Sequence, residues 1–131
     1  MKRKLYLSGP MTGIPNWNRQ SFDDAAKQLT DLGYEVINPF DLPEPVKPNP
    51  LNDSMEWAAY LARDVIGILN GMADTVVMLP GWYDSKGACL EEAVARMKSI
   101  PVVTLGQILQ AHEKREPYSF PWPRKKEAAN E

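Results

Sequence analysis

The sequence predicts an α/β fold, a doubly wound (flavodoxin-like or Rossmann-like) parallel sheet of four to five strands in a single domain. Two observations lead there. Short apolar runs that end in Gly or Pro alternate with longer segments whose apolar residues recur at helical spacing, which implies right-handed crossovers. One run, Thr75 to Leu79, is apolar almost throughout, as a strand covered on both faces of a parallel sheet must be. At 131 residues, 44% hydrophobic and 24% charged, the chain is long enough to bury one core.

Leu5 to Ser8 reads as the first strand, running into a loop at Gly9-Pro10. Asn16 is placed to cap a helix whose apolar positions are Phe22, Ala25, Ala26, Leu29 and Leu32, with Gly33 ending it. Tyr34 to Asn38 makes a second strand. Five prolines between Pro39 and Asn52 exclude a helix or central strand and predict a long, stiff loop, a frequent setting for lids. Asp53 with Glu56 fits a capping box, and Ala58, Leu61, Ala62, Val65, Ile68, Leu69 and Met72 form the clearest amphipathic stripe of the chain. Ser85 opens a third helix through about Lys98, and Pro101 to Leu105 is the fourth strand. Residues 1–116 thus form the α/β domain. Residues 117–131 form an arm rich in Pro and aromatic residues, expected either to be extended and partly disordered or to pack on a neighbouring subunit or over a site.

Charge and composition exclude several classes. A formal net charge of −2 gives no general attraction to nucleic acid or an anionic membrane, so neither partner is expected, the Arg124-Lys125-Lys126 cluster being local. A lone Cys89 and a lone His112 provide neither a disulfide nor metal-ligand spacing, and neither metal nor cofactor is expected. Cys89 reads as packing and His112 as a surface residue of a late helix. The basic start leads into an apolar run too short for a signal sequence, and no stretch approaches ~20 apolar residues. A cytoplasmic location is expected.

In open parallel sheets, ligands bind outside the carboxyl ends of the strands, where strand order reverses. The relevant loops are Ser8 to Asn16 and Pro80 to Gly87. Gly9, Gly13, Gly81 and Gly87 permit close backbone approach, and Ser85 stands at a helix N-terminus. In the third helix, at ~100° per residue, Leu90, Ala93, Val94 and Met97 define a buried side, Glu92 pairs outward with Arg96, and Glu91 falls at the boundary beside Gly87, Ala88 and Ala95. Glu91 then reads two ways: as a carboxylate open to a ligand, or as one that meets a lysine or solvent. Asp64 is a second boundary acid, on the side of Trp57 and Tyr60, with Arg63 pointing outward. Paired carboxylates suit glycosidic chemistry, where one attacks the sugar and the other moves a proton. Trp82 and Tyr83 suit stacking on a base, or equally packing at a dimer contact.

The run Tyr6-Leu7-Ser8-Gly9-Pro10-Met11-Thr12-Gly13, the segment Ala62-Arg63-Asp64 before Ala73 to Leu79, and Ser85-Lys86-Gly87-Ala88-Cys89-Leu90-Glu91-Glu92-Ala93-Val94-Ala95 together resemble the nucleoside 2-deoxyribosyltransferase superfamily over residues 4 to 105. The nearest likeness is to its small DUF4406-type branch, related to 2'-deoxynucleoside 5'-phosphate N-hydrolases. The resemblance implies Glu91 as nucleophile, in the spacing S-x-G-x-x-x-E-x-x-x-A from Ser85 to Ala95. It also implies Asp64 as the acid assisting base departure and Tyr6 as the tyrosine near the nucleophile, with Ser85 and the Gly87 backbone at a 5'-phosphate. Ser8, Gly9, Pro10, Met11, Thr12, Gly81 and Trp82 complete the expected substrate-binding set. Pro10 and Thr12 replace a serine and an arginine of the phosphate-specific hydrolases, which leaves the phosphate charge to Arg19 or a neighbouring subunit. The expected partners are a nucleoside or nucleotide and a second copy of the chain, as homodimer or higher homo-oligomer. The implied activity is N-glycosidic cleavage through a glycosyl intermediate, by hydrolysis or base exchange. The alternatives are a non-catalytic nucleotide-binding module of the same fold, and an interaction protein working through its arm.

Overall fold

The computed structural model describes residues 2–45 and 53–121, apart from the side chains of residues 53–56. The strands are β1 (Lys4–Ser8), β2 (Glu35–Ile37), β3 (Thr75–Met78) and β4 (Val102–Thr104); the helices are α1 (Arg19–Asp31), α2 (Asp53–Leu69), α3 (Lys86–Met97) and α4 (Leu105–Glu113). The four strands pair in parallel in the order β2-β1-β3-β4. The chain winds outward from β1 to β2 and then crosses back to β3, so the switch point lies between the carboxyl ends of β1 and β3.

Strand periodicity divides the core in two. Leu5 and Leu7 of β1 and Val77 of β3 pack with Phe22, Ala25 and Leu29 of α1 and Ile108 of α4. Their alternates, Tyr6, Val76 and Met78, pack with Ile68 of α2 and Ala88, Val94 and Ala95 of α3. All four residues of β3 are buried, as its unbroken apolar run requires. Glycine is required where β1 and β3 diverge: a Cβ on Gly9 would stand 2.8 Å from the Leu79 Cβ.

Several local expectations change. Asn16 does not cap α1. It belongs to a short 3-10 turn, Pro15–Asn18, and Asn18 precedes α1 in a left-handed conformation without a side-chain cap. Gly33, with φ of +99°, does follow the end of α1. In α2 the buried positions are Ala59, Asp64 and Ile68, while Ala58, Ala62 and Leu69 are exposed. The Asp53/Glu56 capping box concerns side chains outside the described residues. So do part of the proline-rich loop, Trp122 and the Arg124-Lys125-Lys126 cluster.

The beginning of the arm turns back onto its own domain. Tyr118 and Phe120 pack against the α1/α4 side of the core, Phe120 stacks edge-on with Tyr34 and Tyr118, and the Arg3 guanidinium lies 4.3 Å from the Phe120 ring centre. The Tyr34 hydroxyl meets His112 Nε2 at 2.9 Å. Aromatic surface that no local element could cover is thereby buried beside Arg3 and Tyr34, near the amino ends of the strands and at the end of the sheet opposite the switch point.

Replacing Gly9 with Ala should lower stability by about 1–3 kcal/mol, because Leu79 is held by the core and cannot withdraw. A denaturation midpoint equal to the parent's would show that the β1/β3 contact is looser than described.

Candidate active site

Ser85 caps α3 by accepting a hydrogen bond from the Ala88 N–H at 3.2 Å. This cap fixes where the helix begins. Ala88, Glu91, Val94 and Ala95 face the sheet, whereas Leu90 and Met97 are 44% and 81% exposed. Glu91 is therefore in the middle of the buried face, not at its boundary. Glu92 lies outward and pairs with Arg96, as its spacing predicts.

The side chains beneath Glu91 explain the rotation. Tyr6 and Ser8 are alternate residues of β1, so both point toward α3. The Tyr6 hydroxyl donates to Glu91 Oε2 at 2.9 Å, and the Ser8 hydroxyl donates to Oε1 at 2.6 Å. Each carboxylate oxygen is thus met by one buried hydroxyl. Ser8, expected at the substrate, instead holds the carboxylate from below.

Asp64 is buried on α2, close enough to Glu91 for the two carboxyls to share a proton. Burial first, and then the Asp64 charge, push the Glu91 carboxyl up to about 8, against the opposing pull of the Ser8 and Tyr6 hydroxyls. Burial also raises Asp64, against the opposing charge of Arg63, and burial with the two carboxylates raises the Tyr6 phenol well above its usual range. Two carboxyls this close do not both ionise readily, so the pair retains one proton well above the usual carboxylate range.

Arg63 does not point outward. Its Nε donates to Asp64 Oδ1 at 2.9 Å, while Nη1 and Nη2 donate to the Pro43 and Pro39 carbonyls, each at 3.1 Å. One guanidinium therefore orients Asp64 and fastens the start of the proline-rich loop beside it. Tyr60, one turn earlier, donates to Glu44 of the same loop.

Asp64 and Glu91 border a cavity of about 610 Å³, a size suited to a small organic ligand. Gly9, Met11, Thr12, Ser85 and Gly87 line it, as the sequence leads one to expect. Pro39, Phe40, Leu42 and Glu44 form the loop side, and Trp57, Tyr60 and Leu61 the α2 side. Arg19, 5.5 Å from the centre of the Phe40 ring, and Trp17 stand on the remaining side. Local sequence gives no sign of Trp17, Phe40 and Arg63 at the site, except that the Asn residues on either side of Trp17 tolerate left-handed backbone.

Three expected binding residues lie elsewhere. Gly81 adopts a φ of +82° and turns the chain into the Trp82–Asp84 turn, which carries Trp82 onto the α2/α3 side of the core and stacks it edge-on with Tyr83. Gly81 and Trp82 line a separate cleft of about 260 Å³. The Pro10 ring leans toward Gly81, and its carbonyl accepts from Asn18 Nδ2. Among the described residues, no group of three or more His, Cys, Asp or Glu side chains is placed to hold a metal ion, and no helix is long and apolar enough to cross a membrane.

The raised Glu91 carboxyl has a consequence for stability. Its folded-state value exceeds the unfolded one of about 4.3, so the folded chain binds more protons between those two values, and stability falls as pH rises through that window. Melting temperature should therefore decline from pH 5 toward pH 8.5. Glu91→Gln should flatten much of that decline and be the more stable protein at pH 8.5. An unchanged slope in the variant would place the pH dependence elsewhere.

No curated protein and no solved structure matches the chain at a significant level. A family model does, over residues 3–104, a span that runs from the start of β1 to the end of β4 and includes Tyr6, Ser8, Asp64, Ser85 and Glu91. The chain belongs to the family described as a domain of unknown function, DUF4406.

Proposed function

We propose that the protein cleaves the N-glycosidic bond of a nucleoside or nucleoside 5'-monophosphate, with Glu91 as nucleophile. The observation that carries this reading is a pair of buried carboxyls, Glu91 and Asp64, at the wall of one aromatic-lined cavity, with two hydroxyls fixing the first and a guanidinium orienting the second. Burying two acids side by side is unfavourable for folding, and such perturbed pairs concentrate at functional sites. The likeness of the Ser85-to-Ala95 spacing to the nucleoside 2-deoxyribosyltransferase superfamily supports the same assignment.

In the proposed reaction a Glu91 oxygen attacks C1' while the C1'–N bond breaks, its electron pair leaving with the base. The one proton of the pair passes to Asp64, which leaves Glu91 ionised for the attack, and goes from there to the departing base. Tyr6 and Ser8 hold the attacking carboxylate at a fixed angle. Water then attacks C1' of the glycosyl ester, returns a proton to Asp64 and frees Glu91. A second base in place of water gives exchange, and the open cavity mouth favours water. Arg19 supplies charge for a 5'-phosphate from the wall of the same cavity.

The singly protonated pair is the working form, so kcat/KM should be bell-shaped in pH with its alkaline limb near 8, where the last proton leaves. Asp64→Asn should remove that limb and lower the rate at least a hundredfold. Glu91→Gln should abolish release of free base from deoxynucleosides and their monophosphates, measured chromatographically with and without an acceptor base. Parent-like cleavage by Glu91→Gln would falsify the mechanism. Ligand-induced stabilisation without any base release from the parent would assign the chain as a binding module instead.

The same reading includes a second copy of the chain. Helices α2 and α3 pack side by side and leave the apolar Ala62, Ile66 and Leu69 of α2 and Leu90, Ala93 and Met97 of α3 exposed. A symmetric dimer sets a face against itself and would bury these apolar side chains twice over. Light scattering should give twice the chain mass for the parent and a monomer for Ile66→Asp combined with Met97→Asp. A monomeric parent removes the dimer from the proposal.

A further inference from the structure

Asn16, Trp17 and Asn18 have φ values of 53°, 57° and 63°. Three consecutive left-handed residues without a glycine are unfavourable, since each Cβ crowds the following carbonyl; asparagine tolerates this and tryptophan does not. The turn is nevertheless fastened: the Trp17 N–H donates to the Ile14 carbonyl at 2.9 Å, and Asn18 Nδ2 donates to the Pro10 carbonyl at 2.9 Å. Core packing does not explain it. Trp17 belongs to neither core cluster and is 59% exposed, yet it borders the cavity that holds Asp64 and Glu91.

Strain that the surrounding structure maintains without a packing gain marks a functional position. The cavity already supplies acids at Glu91 and Asp64 and a cation at Arg19. The wall at Trp17 adds an indole face, and Trp57, itself 48% exposed, adds another on the same cavity. An exposed indole wall favours a flat, polarisable ring, the part of a nucleotide that neither the carboxylates nor Arg19 would hold. Stacking area grows with ring size, and a bicyclic base gains more from such a wall than a monocyclic one.

We propose that the strained Asn16–Asn18 turn holds Trp17 as the stacking platform for the departing base, giving the site a preference for purine over pyrimidine nucleotides. The inference rests on the glycosidic reading above and assigns the base end of that site. Trp17 acts through binding, and the bond-breaking groups remain Glu91 and Asp64.

The test uses the full chain carrying Glu91→Gln, so that binding is read without turnover. Calorimetry would compare 2'-deoxyadenosine 5'-monophosphate, 2'-deoxycytidine 5'-monophosphate and ribose 5-phosphate, which lacks a base. Adding Trp17→Ala should weaken the purine nucleotide about tenfold, the scale of one lost base stack, weaken the pyrimidine less, and leave ribose 5-phosphate unchanged. Trp17→Phe should recover most of the loss. Trp17→Gly separates platform from scaffold, because glycine relieves the left-handed penalty: affinity for the purine nucleotide should fall while the melting temperature does not. Equal affinities with and without Trp17, or equal losses for all three compounds, overturn the platform and leave the glycosidic reading standing. Absence of binding by all three to the folded Glu91→Gln protein removes both.

Discussion

The carboxylate of Glu91, held between the hydroxyls of Tyr6 and Ser8, is the interaction on which the rest of the site depends. It joins the first strand to the third helix across more than eighty residues of sequence. Because Tyr6 and Ser8 are alternate strand residues, their side chains emerge on one face of β1, and a single carboxyl bridges their hydroxyls. That bridge sets the rotation of α3, and rotation decides what else the helix shows: Leu90 and Met97 are turned to solvent although local pattern would bury them. A well-packed apolar residue at position 91 would be the more stable choice for a core of this kind. The proposed role of Glu91 as nucleophile would account for an acid kept there at a cost to folding.

From Glu91 the dependence spreads outward. Asp64 raises the affinity of Glu91 for a proton, and Arg63 keeps Asp64 from losing its orientation. The same guanidinium takes the Pro39 and Pro43 carbonyls, so the loop that walls the cavity is referenced to the acid that borders it. Prolines serve this arrangement well: they stiffen the loop, and a segment poor in backbone donors still offers carbonyls for a cation to gather. The sign of the raised pKa is part of the same logic. In the proposed reaction, a carboxyl pair that keeps one proton near neutrality would supply both a nucleophile and an acid, which two free surface acids at the same pH would not do.

Most of the fold was legible in the sequence because the information that sets it is local. The apolar run at β3, the Gly-Pro ends of the strands, the Ser85 cap and the Gly33 stop each act within a few residues of themselves. The acids were legible as candidates, and the separation of Glu91 from Glu92 survives. What was not legible depends on partners distant in sequence. Nothing near residue 91 announces that two hydroxyls at 6 and 8 will bury it; nothing near residue 63 shows that carbonyls at 39 and 43 will turn it inward. Trp82 read as a stacking residue or a dimer contact because it follows a strand, but the left-handed Gly81 redirects it to the core, and the indoles at the cavity are those of Trp17 and Trp57. Asn16 looked like a cap for the related reason that asparagine suits both caps and left-handed turns, and local sequence does not choose between them.

The two ends of the sheet carry opposite energetic characters, and each makes the other tenable. At the carboxyl ends lie two buried acids, three left-handed residues in succession and an exposed indole, none of which favours folding by itself. Near the amino ends, Tyr118 and Phe120 close over Tyr34 beside His112 and Arg3, a cluster of aromatic contacts and one cation over a ring. Burial there is sufficient to raise both tyrosine phenols above their usual range. A chain of this length folds with a small margin, so local strain persists only where packing elsewhere offsets it. The returning arm adds apolar burial at the end of the sheet farthest from the cavity, where rigidity does not interfere with ligand entry. Its distance from the site is then what suits it to its role: it stabilises the scaffold without occupying the space that the acids and Trp17 leave open.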